Sequence, residues 1–117
     1  MATAWKIKKE LMFELMLFSI EIALIILFFR KNALLLIFLL AAWLMGFKFW
    51  HKKHDIHFFI AGAVIGFIGE AICVYLGVWQ YANPSFLGIP IWLPVAWGLA
   101  AMLIKNIAET FARITGA

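Results

Sequence analysis

The chain has 117 residues, of which 67% are hydrophobic and 14% charged, with a mean hydropathy of +1.02 and a net charge of +4. Ordinary globular domains carry roughly 45–50% apolar and about 25% charged residues, and so small a fold cannot hide this surplus in a core. A soluble enzyme, a disordered tail and a disulfide scaffold are excluded, and the lone Cys73 has no partner within the chain.

Four apolar runs follow in order, residues 11–29, 33–50, 56–78 and 86–104. Each is near the roughly 20 residues that a spanning helix needs. The spacers are short and polar, which makes successive helices antiparallel neighbours. No run alternates with period two, so a β-barrel is not expected. The expected fold is all-α: a four-helix transmembrane bundle forming one integral membrane domain over residues 1–117, with a proline-broken fourth helix. Residues 1–10 are too polar for the n-region of a cleaved signal, and the first run lacks a small-residue cleavage site, so it is expected to stay as a helix.

Lys6, Lys8, Lys9, Lys48, Lys52, Lys53, Lys105 and Arg113 fall on one side of this arrangement, and only Arg30 and Lys31 on the other. The bias predicts that both termini are cytoplasmic. Trp5, Trp50, Trp79, Tyr81 and Trp92 stand near the expected boundaries, where amphipathic rings prefer to lie. No basic face with interleaved aromatics lies outside the membrane, so nucleic acid is not an expected partner.

Acids inside the spans carry the functional signal. Glu14 and Glu21 in the first helix are seven apart, within about 20° of one face, and Glu10 extends that stripe. Glu70 in the third follows Gly62 and Gly66 at four-residue spacing, with Gly69 on an adjacent flank. Small residues so spaced admit a close helix neighbour, which places Glu70 against protein. An ionised acid at mid-membrane costs about 2.5–3.5 kcal/mol on insertion scales, so such residues are functional candidates by default. Glu21 and Glu70 lie at similar depth, and contact between their helices would make them a dyad sharing a proton. A purely structural role, a Glu bonding a neighbouring backbone carbonyl, is the alternative.

In the fourth run Pro90 and Pro94 are four apart and cannot donate to the carbonyls of Phe86 and Pro90. Those acceptors need other donors in the membrane, such as Glu70 or the Trp97 indole. Between the second and third runs, His51, His54, Asp55 and His57 are ligand types that suit zinc or non-haem iron. Lys52 and Lys53 oppose a cation there, so the loop reads as a basic, lipid-facing one, and no metal or other cofactor is expected.

The stretch from Gly66 to Trp97 resembles the membrane-embedded carotenoid biosynthesis family that includes carotenoid hydratases. The resemblance rests on Glu70 in a Gly-rich helix, then Gly77, the aromatic turn Trp79-Gln80-Tyr81, and Gly88, Pro90, Pro94 and Trp97. It covers about a quarter of the chain, and family members are roughly twice as long. The resemblance implies a bound isoprenoid or carotenoid and addition of water to its double bond. Glu70 and Glu21 would be the catalytic pair, and Tyr81, Pro90, Pro94 and Trp97 would line the substrate, with Glu14, which lies outside the resemblance, a further candidate for binding it. Two other readings stay open. One is a non-catalytic accessory subunit of a membrane complex. The other is a small proton-coupled transporter, since small multidrug resistance transporters also have four short helices with a Glu where Glu14 stands. Expected partners are membrane lipids and a homo-oligomer or larger membrane complex, with the Gly62/Gly66 face as a possible seam.

Overall fold

The computed structural model describes residues 2–50 and 54–116, and side chains for 4–47 and 54–116. The described chain is helical: α1 (Ala2–Phe28), α2 (Asn32–Trp50), α3 (Asp55–Tyr75) and α4 (Leu93–Thr115). Three segments, Ala4–Phe28, Asp55–Tyr75 and Leu93–Thr115, are long and apolar enough to cross a membrane, and α2 is apolar but shorter over Asn32–Phe47. The longest dimension is 50 Å, against about 40–45 Å for a bilayer with its headgroups.

The last helix is the hub. α4 packs on α1, α2 and α3, whereas α3 packs chiefly on α4. At 100° per residue, Trp97, Gly98, Ala101 and Lys105 share one side of α4, and Leu99, Met102, Leu103, Asn106 and Thr110 the other. The first side meets α3, where Gly62 lies against Ala101 and the Trp97 carbonyl, and Gly98 against Phe59. The second meets α1 in antiparallel register, with Arg113 paired to Glu10 at 2.8 Å and Thr110 donating to Glu14 at 2.5 Å. A helix covered on two sides can carry polar residues that a lipid-facing helix could not. This is why α4 holds Lys105, Asn106 and Thr110, all largely or fully buried.

Several helix limits differ from those the apolar runs suggest, and α3 ends at Tyr75 rather than at residue 78. α1 begins at Ala2 rather than at residue 11. Ala2–Glu10 contains no helix breaker and several good helix formers, Lys9 lies 5.9 Å from the Trp5 ring, and Glu10 is tied to Arg113. α4 begins at Leu93, not at residue 86, and runs on to Thr115. The apolar residues 86–89 instead form a tight reversal. Leu87 and Gly88 both have positive φ, 52° and 78°, as a type I′ turn requires. The reversal is closed by Phe86 N–H donating to Ile89 O at 3.0 Å and Ile89 N–H to Phe86 O at 2.9 Å.

Pro94 then sits in the first turn of α4, where a missing N–H costs nothing. The carbonyls of Phe86 and Pro90 take their bonds from Ile89 N–H and Leu93 N–H, the latter at 3.1 Å. Neither Glu70 nor the Trp97 indole is needed for them, contrary to expectation.

The α3–α4 connection is fastened to the α1–α2 turn. Asn32 Nδ2 donates to Asn83 O at 2.7 Å and Ser85 Oγ at 2.9 Å, and Asn83 Nδ2 donates to the Arg30 carbonyl. Loss of these bonds at about 0.5–1.5 kcal/mol each gives a direct prediction. Asn32→Ala lowers stability by about 1–3 kcal/mol, read by thermal unfolding in detergent. Arg30→Ala, which keeps the backbone acceptor, leaves it unchanged.

Candidate functional site

Glu70 stands five residues before the end of α3, about 7 Å along the axis. The chain beyond α3 folds back over it. Trp79 Nε1 donates to Glu70 Oε2 at 2.8 Å, and Tyr81 Oη donates to the same oxygen at 2.6 Å. From α4, Trp97 Nε1 donates to Oε1 at 3.1 Å. Indole N–H groups can only donate, so both carboxyl oxygens are held as acceptors. The carboxyl is buried, yet each of its oxygens is satisfied. Burial, and then the bond to Glu70, pushes the Tyr81 phenol well above its ordinary value.

An apolar groove of about 500 Å³ runs between α3 and α4 and ends at this cluster. Its wall extends from Phe58 to Cys73, fifteen residues or about 22 Å of helix. Glycines shape it in two ways. A Cβ on Gly62 would stand 2.4 Å from the Ala101 Cβ, and one on Gly66 would stand 2.3 Å from the Trp97 ring. These two glycines therefore let α4 close on α3. Their face is used inside the chain and is not a free seam for a second copy. Gly69 packs on nothing: a Cβ there would have no neighbour within 4 Å. It was expected to serve helix packing, but it faces the open groove instead. Trp79 and Trp97 remain 45% and 41% exposed, so their rings border the groove while their N–H groups hold Glu70.

The other expected site residues lie elsewhere. Glu14 is fully buried on the α1 side of α4, bonded by Thr110. Glu21 is buried beside Leu99, Met102 and Leu103, on the opposite side of α4 from Trp97. α4 thus stands between Glu21 and Glu70, and the expected dyad is not formed. Pro90 is buried behind the reversal, and neither it nor Pro94 lines the groove.

The histidine loop is also split. Asp55 is buried and paired with Lys105 at 3.3 Å. His54 and His57 are exposed, with rings 5.5 Å apart. His51 lies outside the described residues. Among those described, no group of three or more His, Cys, Asp or Glu gathers in a way that could hold a metal.

Trp79 was expected only as an interfacial ring and part of an aromatic turn, yet it bonds Glu70. Its spacing from Tyr81 was the usable signal, because residues i and i+2 of an extended segment face the same way. Compared with known protein families, characterised proteins and solved structures, the chain matches none.

Proposed function

We propose that this is a multi-pass integral membrane protein, with both ends cytoplasmic, that binds a long, flat isoprenoid-like chain in the α3–α4 groove with its end against Glu70. The eight-to-two distribution of Lys and Arg supports the orientation. It puts the Glu70 cluster near the outer face, under the non-helical stretch that contains Pro90 and ends just before Leu93, which acts as the break in the fourth crossing. The observation that carries the reading is a groove, glycine-floored and almost wholly apolar, that terminates in one triply bonded carboxyl. Ligand sites are commonly apolar clefts with a few polar groups that set orientation. Of the residues quoted for the carotenoid-enzyme resemblance, Glu70, Trp79, Tyr81 and Trp97 gather at its end, whereas Pro90 and Pro94 do not line it.

Holding without turnover is the reading the geometry favours. Every polar contact on Glu70 comes from an N–H or O–H directed at it, so its oxygens are engaged as acceptors rather than presenting an O–H to the ligand. Hydration would need Glu70 to protonate one alkene carbon, water to add at the resulting cation, and a proton to return to the carboxylate. The ring faces of Trp79 and Trp97 could stabilise such a cation. Glu21, across α4, is too far round the bundle to orient that water.

Gentle purification followed by extraction and mass spectrometry tests the binding. A prenyl or polyene chain should leave with the lipid fraction. Cys73, the only thiol in the chain and part of the groove wall, should be shielded from alkylation by added geranylgeraniol or a polyene. An empty groove, unshielded Cys73 and a stoichiometric polypeptide partner would together replace this reading with the accessory-subunit one. Turnover of a bound polyene that Glu70→Gln abolishes would add the acid step.

A further inference from the structure

We infer that Glu21 is the inner end of a proton path that enters between α1 and α4, on the face of α4 away from the groove. The path starts where Glu10 pairs with Arg113. Arg113 Nη2 also donates to Thr110 Oγ1 at 3.4 Å, and Thr110 donates to Glu14 at 2.5 Å. This polar chain leads inward by one turn of α1. Continuing the antiparallel register sets Asn106 opposite residues 17–18 and Glu21 opposite Leu103.

Two acceptors then stand in succession without a protein partner. Asn106 Oδ1 and Glu21 Oε1 are both buried, at 2% and 5% residue exposure, and neither receives a hydrogen bond from the protein. The amide oxygen accepts, and so does the carboxyl oxygen while Glu21 is ionised, so a hydrogen-bearing species such as an internal water would satisfy both. Glu21 is the one polar residue on a small, partly open space of about 20 Å³ that is otherwise lined by Leu17, Ile20, Ala42, Leu99, Met102 and Leu103, room for one water held by Glu21. From Glu14 to Glu21 is about 10 Å along α1, and Asn106 divides that into steps of about 5 Å. A water with two ordinary hydrogen bonds reaches about 5.5 Å, so the inferred path calls for one water in each of these axial steps.

Among the described residues no charged side chain faces Glu21 from α2 or α4, and on α1 the nearest acid is Glu14, two turns away. A proton arriving through these waters forms an O–H bond on the Glu21 carboxylate, and the opposite movement returns it to the same face. Because α4 separates this path from Glu70, the inference stands or falls apart from ligand binding.

Infrared difference spectroscopy on the full chain in lipid nanodiscs, after a step from alkaline to acidic buffer, tests it. A protonated-carboxyl component should rise in the native protein, exchange with deuterium oxide, and be absent from Glu21→Gln, so that it appears in the native-minus-variant difference above the bands of the other five acids. Asn106→Leu should slow its rise by about tenfold, and Asn106→Ser, which keeps a hydroxyl and admits water, should stay near the native rate. Identical carboxyl spectra for native protein and Glu21→Gln, or a Glu21 component that follows sodium concentration at constant pH, would overturn the inference. So would an Asn106→Leu rate equal to the native one. Should Asn106→Leu fail to fold by circular dichroism, the Glu21→Gln and deuterium results still decide it.

Discussion

Gly69→Leu is expected to abolish uptake of a prenyl or polyene chain while leaving thermal stability unchanged or slightly raised. Gly66→Leu, three residues earlier, is expected to lose both. The difference comes from what each missing Cβ would meet. At Gly69 there is no atom within 4 Å, so a leucine fills the groove at the level of Glu70 and Cys73. Replacing a helical glycine also favours the helix by up to about 1 kcal/mol. At Gly66 the first carbon already collides with Trp97, 2.3 Å from Cγ and 2.7 Å from Cβ. Those atoms are close to the α4 backbone and cannot swing aside as the far end of a flexible chain can. The helices must part, and the Trp97 N–H must leave Glu70. Overpacking of this kind costs about 1–3 kcal/mol and occasionally more. Thermal unfolding beside Cys73 protection separates the two variants. Equal loss of stability in both would show that Gly69 packs a neighbour after all, and retained shielding in Gly69→Leu would remove the groove as the binding site.

Much of the Glu70 cluster was legible in the sequence, and the reason is local. Glu70, Trp79 and Tyr81 lie within twelve residues, so a single reversal after α3 brings them together. Trp97 joins because Gly62 and Gly66 announce a close helix neighbour, and the next helix in the chain is the simplest one to supply it. The start of α4 was harder. Phe86, Leu87 and Ile89 read as the beginning of an apolar helix, and only Gly88 betrays the turn that they form. The carboxylate stripe of α1 was visible as a stripe, but its partners were not. Thr110 is 96 residues from Glu14, and Lys105 is 50 from Asp55. Periodicity reports which residues share a face of one helix, and it is silent on which helix that face meets. The dyad of Glu21 and Glu70 failed for this reason. Equal depth on two parallel helices implies contact only if nothing lies between them, and α4 does.

Removing the carboxyl at position 70 is the second large effect. Glu70→Ala leaves the indole N–H groups of Trp79 and Trp97 and the Tyr81 hydroxyl without their common acceptor. An unsatisfied buried donor costs about 1–3 kcal/mol. The partial exposure of both indoles reduces the total, so a loss of about 2–3 kcal/mol is expected. Glu70→Gln retains the shape but turns one acceptor into an NH₂ that meets donors, and it should recover less than half of the loss. Tyr81 adds a pH signature. Its phenol is raised above the ordinary value of 10.0 by burial and by the bond to Glu70, so the fold favours the neutral form. A raised value stabilises the fold fully below the unfolded value, and that stability is lost as pH rises towards the folded one. The native protein should therefore lose stability as alkaline buffer passes pH 10, and Tyr81→Phe should flatten that dependence while starting from a lower stability. Denaturation followed by circular dichroism across the alkaline range reads both. An unchanged slope in Tyr81→Phe would mean that the phenol is not held against Glu70. In that event the loop would not close the groove, and the ligand's end would meet solvent rather than a carboxyl.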